Sequence, residues 1–276
     1  MRLNHNLASL NVYREYLNNL KSNSVAMKRV SSGQKINSAK DDPNNLAKSE
    51  RMRMNIRGLQ MANRNVQDGV SMLQSADGAL SSMNSILGRI RELSVQYGSG
   101  SNSEKDKEII KEEINEMIES YEDVINNSEF NGVKLFQEKK ERSMQLGSDV
   151  GNTMDIEFFD LKTELKTLTE LKKKDTNTFT ANEALDEVDK AINKVVDVRS
   201  KYGAIVNKFE GTMSNLSQYE LITQESESRV RDADIAEEMT EVARTSILLD
   251  AGRAIMAQTN QLPQDMLKIL DNVRVK

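Results

Sequence analysis

The sequence predicts a mainly α-helical protein, an elongated antiparallel helical bundle with terminal coiled-coil helices and a small β-hairpin tip. Three observations carry that prediction. Apolar residues recur at every seventh position in several segments, the spacing that keeps one face of a helix against a partner helix. Aromatic residues make up only 4% of the chain and Trp is absent, so a thick globular core lacks volume, whereas thin helical packing needs only aliphatic side chains. Between residues 128 and 160 the period stops, and short runs separated by Asn, Gly and Asp read as strands and turns.

The elements follow in chain order. In the first segment Leu3, Leu10 and Leu17 are spaced by seven, with Tyr13, Leu20 and Met27 offset by three and Leu7 on the same apolar side. In the second, Leu59, Val66, Leu73, Leu80 and Leu87 repeat strictly, with Ala62, Gly69, Ala76, Met83, Ile90 and Tyr97 as companions. A proline-free helix over 59–97 would run about 58 Å at about 1.5 Å per residue. Gly98 to Ser103 breaks it, and Ser103 with Asp106 caps a third helix over 104–127, whose buried stripe is predicted as Ile110, Ile114, Met117, Tyr121 and Val124. Phe130 to Val133, Met144 to Gly147 and Met154 to Phe158 read as strands, with a hairpin over about 131–160. Leu161 to Asn182 alternates Thr, Lys and Leu without a clear period. A helix over 183–227 then carries Val188, Val195, Tyr202, Phe209 and Leu216, with Ile192, Val206 and Met213 one turn on. The last carries Ile235, Val242, Leu249 and Met256, extended by Leu262, Met266 and Ile269/Leu270 and kinked at Pro263. Its expected partner is the Leu3/Leu10/Leu17 stripe.

Composition also narrows the chemistry. Cys is absent, which removes disulfides, thiolate metal ligands and thiol nucleophiles. A single histidine, His5, cannot supply an HExxH metal site or anchor a Ser-His-Asp arrangement, so neither an enzyme, a metal site nor a cofactor is expected. No apolar run approaches the roughly 18 residues needed to span a bilayer, so no membrane segment is expected. Residues 1–57 hold eleven Lys/Arg against four acids, and residues 101–125 three Lys against nine acids. Without interleaved aromatics or a reader motif, that asymmetry fits charge complementarity between subunits better than nucleic-acid binding.

Ordered motifs accumulate along almost the whole chain. They are Met1-Arg2-Leu3-Asn4-His5-Asn6, Ser31-Ser32-Gly33-Gln34-Lys35-Ile36-Asn37, Asp41-Asp42, Ile56-Arg57-Gly58-Leu59 and Asn65-Val66-Gln67-Asp68-Gly69. Arg89-Ile90-Arg91-Glu92-Leu93-Ser94-Val95-Gln96 and Glu129-Phe130-Asn131-Gly132 follow. On the far side stand Arg199-Ser200-Lys201-Tyr202-Gly203-Ala204, Ser228-Arg229-Val230-Arg231-Asp232-Ala233-Asp234 and Gln258-Thr259-Asn260-Gln261-Leu262-Pro263. In these the chain resembles bacterial flagellin, in a short form without the large variable outer domains. It departs where Pro43-Asn44-Asn45 replaces small residues after Asp41-Asp42, and where Val30 precedes Ser31 in place of Leu.

The resemblance implies a structural subunit that polymerises into the flagellar filament for swimming motility. It implies secretion through the flagellar export machinery with a flagellin chaperone, and an extracellular location. The alternative, a hook–filament junction (hook-associated) protein, shares the terminal helices but generally lacks the Asn-Gln-Leu-Pro ending. Three regions are implied: inner-tube terminal helices (1–40 with 232–276), a helical bundle (41–136 with 178–231) and a short β-containing tip (137–177). Subunit contacts are expected at Leu3, Leu7, Leu10, Leu17, Leu20, Ile235, Val242, Leu249, Met256 and Leu262. The family's contact with the flagellin-sensing Toll-like receptor of animals carries over to Arg89, Leu93 and Gln96 on one helix face, with Glu113 on the adjacent helix.

Overall fold

The computed structural model describes residues 6–164, 166–173 and 179–274. Its elements are α1 (Leu7–Ser32), α2 (Pro43–Tyr97), α3 (Glu104–Asn127), β1 (Glu129–Phe130), β2 (Val133–Lys134), β3 (Lys140–Gln145), β4 (Thr153–Phe158), α4 (Leu161–Glu164), α5 (Lys166–Lys173), α6 (Ala181–Arg231) and α7 (Ile235–Arg274). The chain forms two compact units, residues 1–54 with 223–276, and residues 55–222. Each is built from helices that return antiparallel.

The 55–222 unit carries the main core. The heptad positions Val66, Leu73, Leu80 and Leu87 of α2 are fully buried, as are Val188, Val195 and Phe209 of α6. The two helices run antiparallel, pinned by Asn63 donating to Ser217 (3.1 Å), the two-pronged Arg199–Asp77 pair (2.8 and 3.3 Å) and Arg91–Asp189 (2.8 Å). The third helix begins at the capping box foreseen at Ser103 and Asp106. Its buried stripe is Ile110, Ile114, Ile118, Tyr121 and Ile125, so the stripe expected through Met117 and Val124 is corrected by one position; both of those are only partly buried. Burial pushes the Tyr121 hydroxyl's pKa up, and this oxygen has no hydrogen-bond partner.

Two differences from expectation have clear causes. The long helix starts at Pro43 rather than near residue 59. Proline is well suited to the first helical position, and the Asp42 carboxylate accepts from the amides of Asn44 (3.1 Å) and Asn45 (3.0 Å) as the cap. Residues 43–58 escape the heptad because they pack through polar groups: buried Ser49 donates to Glu227 (2.9 Å), and Arg231 reaches both Ser49 (3.2 Å) and Glu50 (2.7 Å). Phe130 to Val133, expected as a strand, is instead a hairpin corner. Asn131 (φ 49°) and Gly132 (φ 74°) both adopt the left-handed conformation, the Asn-Gly turn that joins β1 to β2.

The β3–β4 hairpin, paired from Lys140↔Phe158 to Gln145↔Thr153, packs against α2. Two glycines make room for it. A Cβ on Gly58 would sit 2.7 Å from the Ser148 Cβ, and one on Gly69 would sit 2.8 Å from the Met144 Sδ. Asn65 between them donates to the Gln145 carbonyl (3.2 Å). Beyond the hairpin, the stretch without a clear period supplies α4 and α5, which bury Leu161, Leu168 and Leu171, and then Phe179, whose ring meets Tyr97 edge-on at 4.8 Å.

Candidate assembly surfaces

The 1–54/223–276 unit is mostly a pair of helices, α1 against α7. The α1 helix starts at Asn6, whose side chain accepts from the Ser9 amide (3.1 Å), and ends at Gly33, whose left-handed φ of 69° turns the chain. A short antiparallel bridge then ties Gly33–Lys35 to Arg231–Ala233: Lys35 N donates to Arg231 O (2.7 Å) and Ala233 N to Gly33 O (3.0 Å).

Which faces meet in this pair corrects an expectation. The leucine stripe of α1 is not the intrachain seam. The seam side of α1 is Ser9, Val12, Tyr16, Asn19, Asn23, Ala26 and Val30, all half-buried or buried. On α7 it is Val242, Thr245, Leu249, Gly252, Met256 and Thr259. Hydrogen bonds fix this choice along the pair. Asn6 donates to the Thr259 carbonyl (2.9 Å), and Asn23 to the Thr245 hydroxyl (2.8 Å) and Val242 carbonyl (3.3 Å). Arg253 donates to the Tyr16 hydroxyl (3.3 Å), with Gly252 lying under the Tyr16 ring, and Arg29 pairs with Glu238 (2.8 Å). Asn23 with Thr245, and Tyr16 with Arg253 over Gly252, satisfy polar groups across a close contact.

Much aliphatic surface is left outside. Leu7, Leu10, Leu17 and Leu20 remain exposed on α1, with Tyr13 and Met27 continuing the face. On α7, Ile235, Met239, Ile247, Ile255 and Leu262 are exposed, spread over the surface that α1 does not cover. Of the residues expected at subunit contacts, Val242, Leu249 and Met256 belong to the seam, while Leu3 lies outside the described residues. Single exposed aliphatic residues are ordinary on protein surfaces; the continuous apolar face of α1, with the many exposed aliphatic residues of α7, marks an interaction surface.

The Arg89 region is more divided than its spacing implies. Arg89 and Gln96 are exposed, and Arg89 bonds Glu113 across to α3 (2.7 Å) and Glu92 on its own helix (3.1 Å). Leu93 is 1% exposed and sits in the core beside Leu87 and Ile90, so its expected place on an accessible face is corrected. The i, i+4 step from Arg89 carries Leu93 across the edge of the helix onto the buried side. No described helix is long and apolar enough to cross a membrane.

Comparison with known proteins completes the picture. Residues 3–141 match the family model described as the bacterial flagellin N-terminal helical region, and residues 185–270 the one described as the C-terminal helical region. A flagellin of Halalkalibacterium halodurans is 40% identical over 98% of this chain and all of its own length. The flagellar filament 31.3 kDa core protein of Treponema maltophilum is 31% identical over 98% of this chain and all of its own. A solved structure described as a flagellar hook-associated protein from Vibrio parahaemolyticus has a TM-score of 0.59 at 17% identity, covering 70% of this chain and all of that one; at that identity the likeness speaks to fold alone and does not favour the junction alternative. With both family models matched in order and whole-length identity to flagellins, the chain belongs to the bacterial flagellins and is a structural subunit of the flagellar filament.

Proposed function

We propose that filament growth covers the exposed ridges of α1 and α7 with neighbouring copies, so that residues 1–40 and 232–276 line the filament's inner tube. The observation that carries this is that a seam of mixed polar and aliphatic residues leaves Leu7, Leu10, Leu17 and Leu20 of α1 and Ile247, Ile255 and Leu262 of α7 outside. An outward ridge is a liability for a lone subunit and an interface for a polymer, and a contact between unlike surfaces that does not close into a ring produces an open helix. The contacts assigned to neighbours are Leu7, Leu10, Leu17, Leu20, Ile235 and Leu262. Val242, Leu249 and Met256 support them from the seam. The bundle (41–136 with 178–231) and the 137–177 segment make up the rest of the subunit. The subunit acts without catalysis, leaves the cell through the flagellar export machinery with a flagellin chaperone, and works outside it.

Hydrogen exchange tests the reading. A two-helix pair held by one polar seam should open often in the free subunit, and amides of residues 7–32 and 235–262 should gain protection strongly in seeded filaments. Equal protection in both states would place these helices in the subunit's own core.

A second reading rests on the exposed Arg89–Glu113 pair, with Gln96 two turns along the same face. We infer that an innate receptor of the Toll-like class would read these side chains on free subunit. Arg89→Ala should cut receptor signalling at matched subunit concentration and leave unfolding unchanged, because exposed ion pairs contribute little to folding. Undiminished signalling by that variant would remove the assignment.

A further inference from the structure

The chain contains neither Cys nor Trp, so its methionine sulfurs are the most readily oxidised atoms it has. Their placement is uneven. Met72 and Met83 are buried in the bundle core. Met27 and Met239, 53% and 51% exposed, sit within the outward ridges of α1 and α7: Met27 lies seven residues beyond Leu20, and Met239 one turn beyond Ile235. Met54 and Met61 are exposed on a different helix, α2.

We propose that Met27 and Met239 are modification sites for peroxide-class oxidants, and that their oxidation in the free subunit stops its addition to a filament. The sulfur lone pair attacks one peroxide oxygen. An S–O bond forms, the O–O bond breaks and water leaves, with sulfur giving up the two electrons that peroxide gains. The flexible apolar thioether becomes a sulfoxide, whose oxygen is a strong hydrogen-bond acceptor. Among leucines and isoleucines that oxygen finds no donor, and burying it unsatisfied opposes the contact. Once a neighbour covers the ridge the sulfurs are shielded, so the grown filament resists what the incoming subunit does not. The inference rests on the proposed covering of the α1 and α7 ridges.

The test treats full-length free subunit with hydrogen peroxide, maps each methionine by peptide mass spectrometry and measures seeded growth. Sulfoxide should appear at Met27, Met239, Met54 and Met61 but not at Met72 or Met83, and growth should fall about tenfold or more, the effect of a modest loss per contact. The variant Met27→Leu with Met239→Leu, which conserves volume, should grow like the parent and keep growing after peroxide despite sulfoxide at Met54 and Met61. Unslowed growth of oxidised parent, or equal loss in the double variant, overturns the proposal. If the double variant grows slowly before treatment, each single substitution must retain more growth after peroxide than the parent, and equality overturns it too. Peroxide treatment of finished filaments separates the two readings. Oxidation of Met27 and Met239 at the free-subunit rate sinks the covering of the ridges, whereas protection there with unimpaired growth of oxidised subunits sinks only the oxidation proposal.

Discussion

Placing glutamate at Leu17 and Leu20 together should abolish filament growth while the unfolding of the 55–222 unit stays where it is. Both leucines lie on the outward face of α1, 44% and 45% exposed, and neither touches the bundle core. Fully burying a leucine contributes roughly 1.5–3 kcal/mol, so covering the exposed half contributes about 1 kcal/mol at each site. With the proposed covering, every added subunit makes these contacts, so the loss acts on the addition equilibrium directly, at about tenfold per 1.4 kcal/mol. The two carboxylates add a desolvation penalty that no partner offsets. Sedimentation of seeded reactions, beside thermal unfolding of the same protein, measures both halves. Growth at the parent rate would mean that the ridge faces water in the filament.

Leu73→Ala should have the opposite profile. Leu73 is fully buried midway along α2, facing the α6 seam, and removing a buried leucine costs about 2–5 kcal/mol according to how far the site can collapse. Between helices held apart by Val66, Leu80 and Phe209, all fully buried, little collapse is available. Denaturant unfolding should shift by that amount, and an unchanged midpoint would take Leu73 out of the core. Leu93→Ala belongs to the same class, so any loss of receptor signalling by that variant would report unfolding as much as recognition.

These two substitutions also mark what the sequence could and could not reveal. The heptads of α2 and α6 were legible because a central helix has a partner along most of its apolar face, so apolar means buried. The same pattern on α1 names residues that α7 leaves exposed, not the face it covers. Leu10 and Leu17 repeat as a seam should, yet the pair closes through Tyr16, Asn23, Thr245 and Gly252. A seven-residue period records that a face will be covered; whether its own chain or another copy covers it is not written in the period. The first turns of α2 were hidden for a related reason, since Ser49, Glu50, Glu227 and Arg231 pack through hydrogen bonds that no hydropathy pattern shows. Gly58 and Gly69 were visible as motif letters, but the hairpin they admit comes from some eighty residues further on.

The polar seam between α1 and α7 also governs alignment. An aliphatic seam tolerates sliding, because one leucine serves nearly as well as the next. Asn23 does not: slipping α7 by one turn would take its amide from the Thr245 hydroxyl to Leu249 and strand a donor against hydrocarbon. The same slip would take Arg29 from Glu238 to Val242. The pair thus forgoes strength for a single permitted offset, and each incoming subunit presents its two outward ridges in one fixed phase. A polymer that copies the same contact at every step depends on that indexing, because a one-turn error in a single subunit would misplace every surface offered to the next.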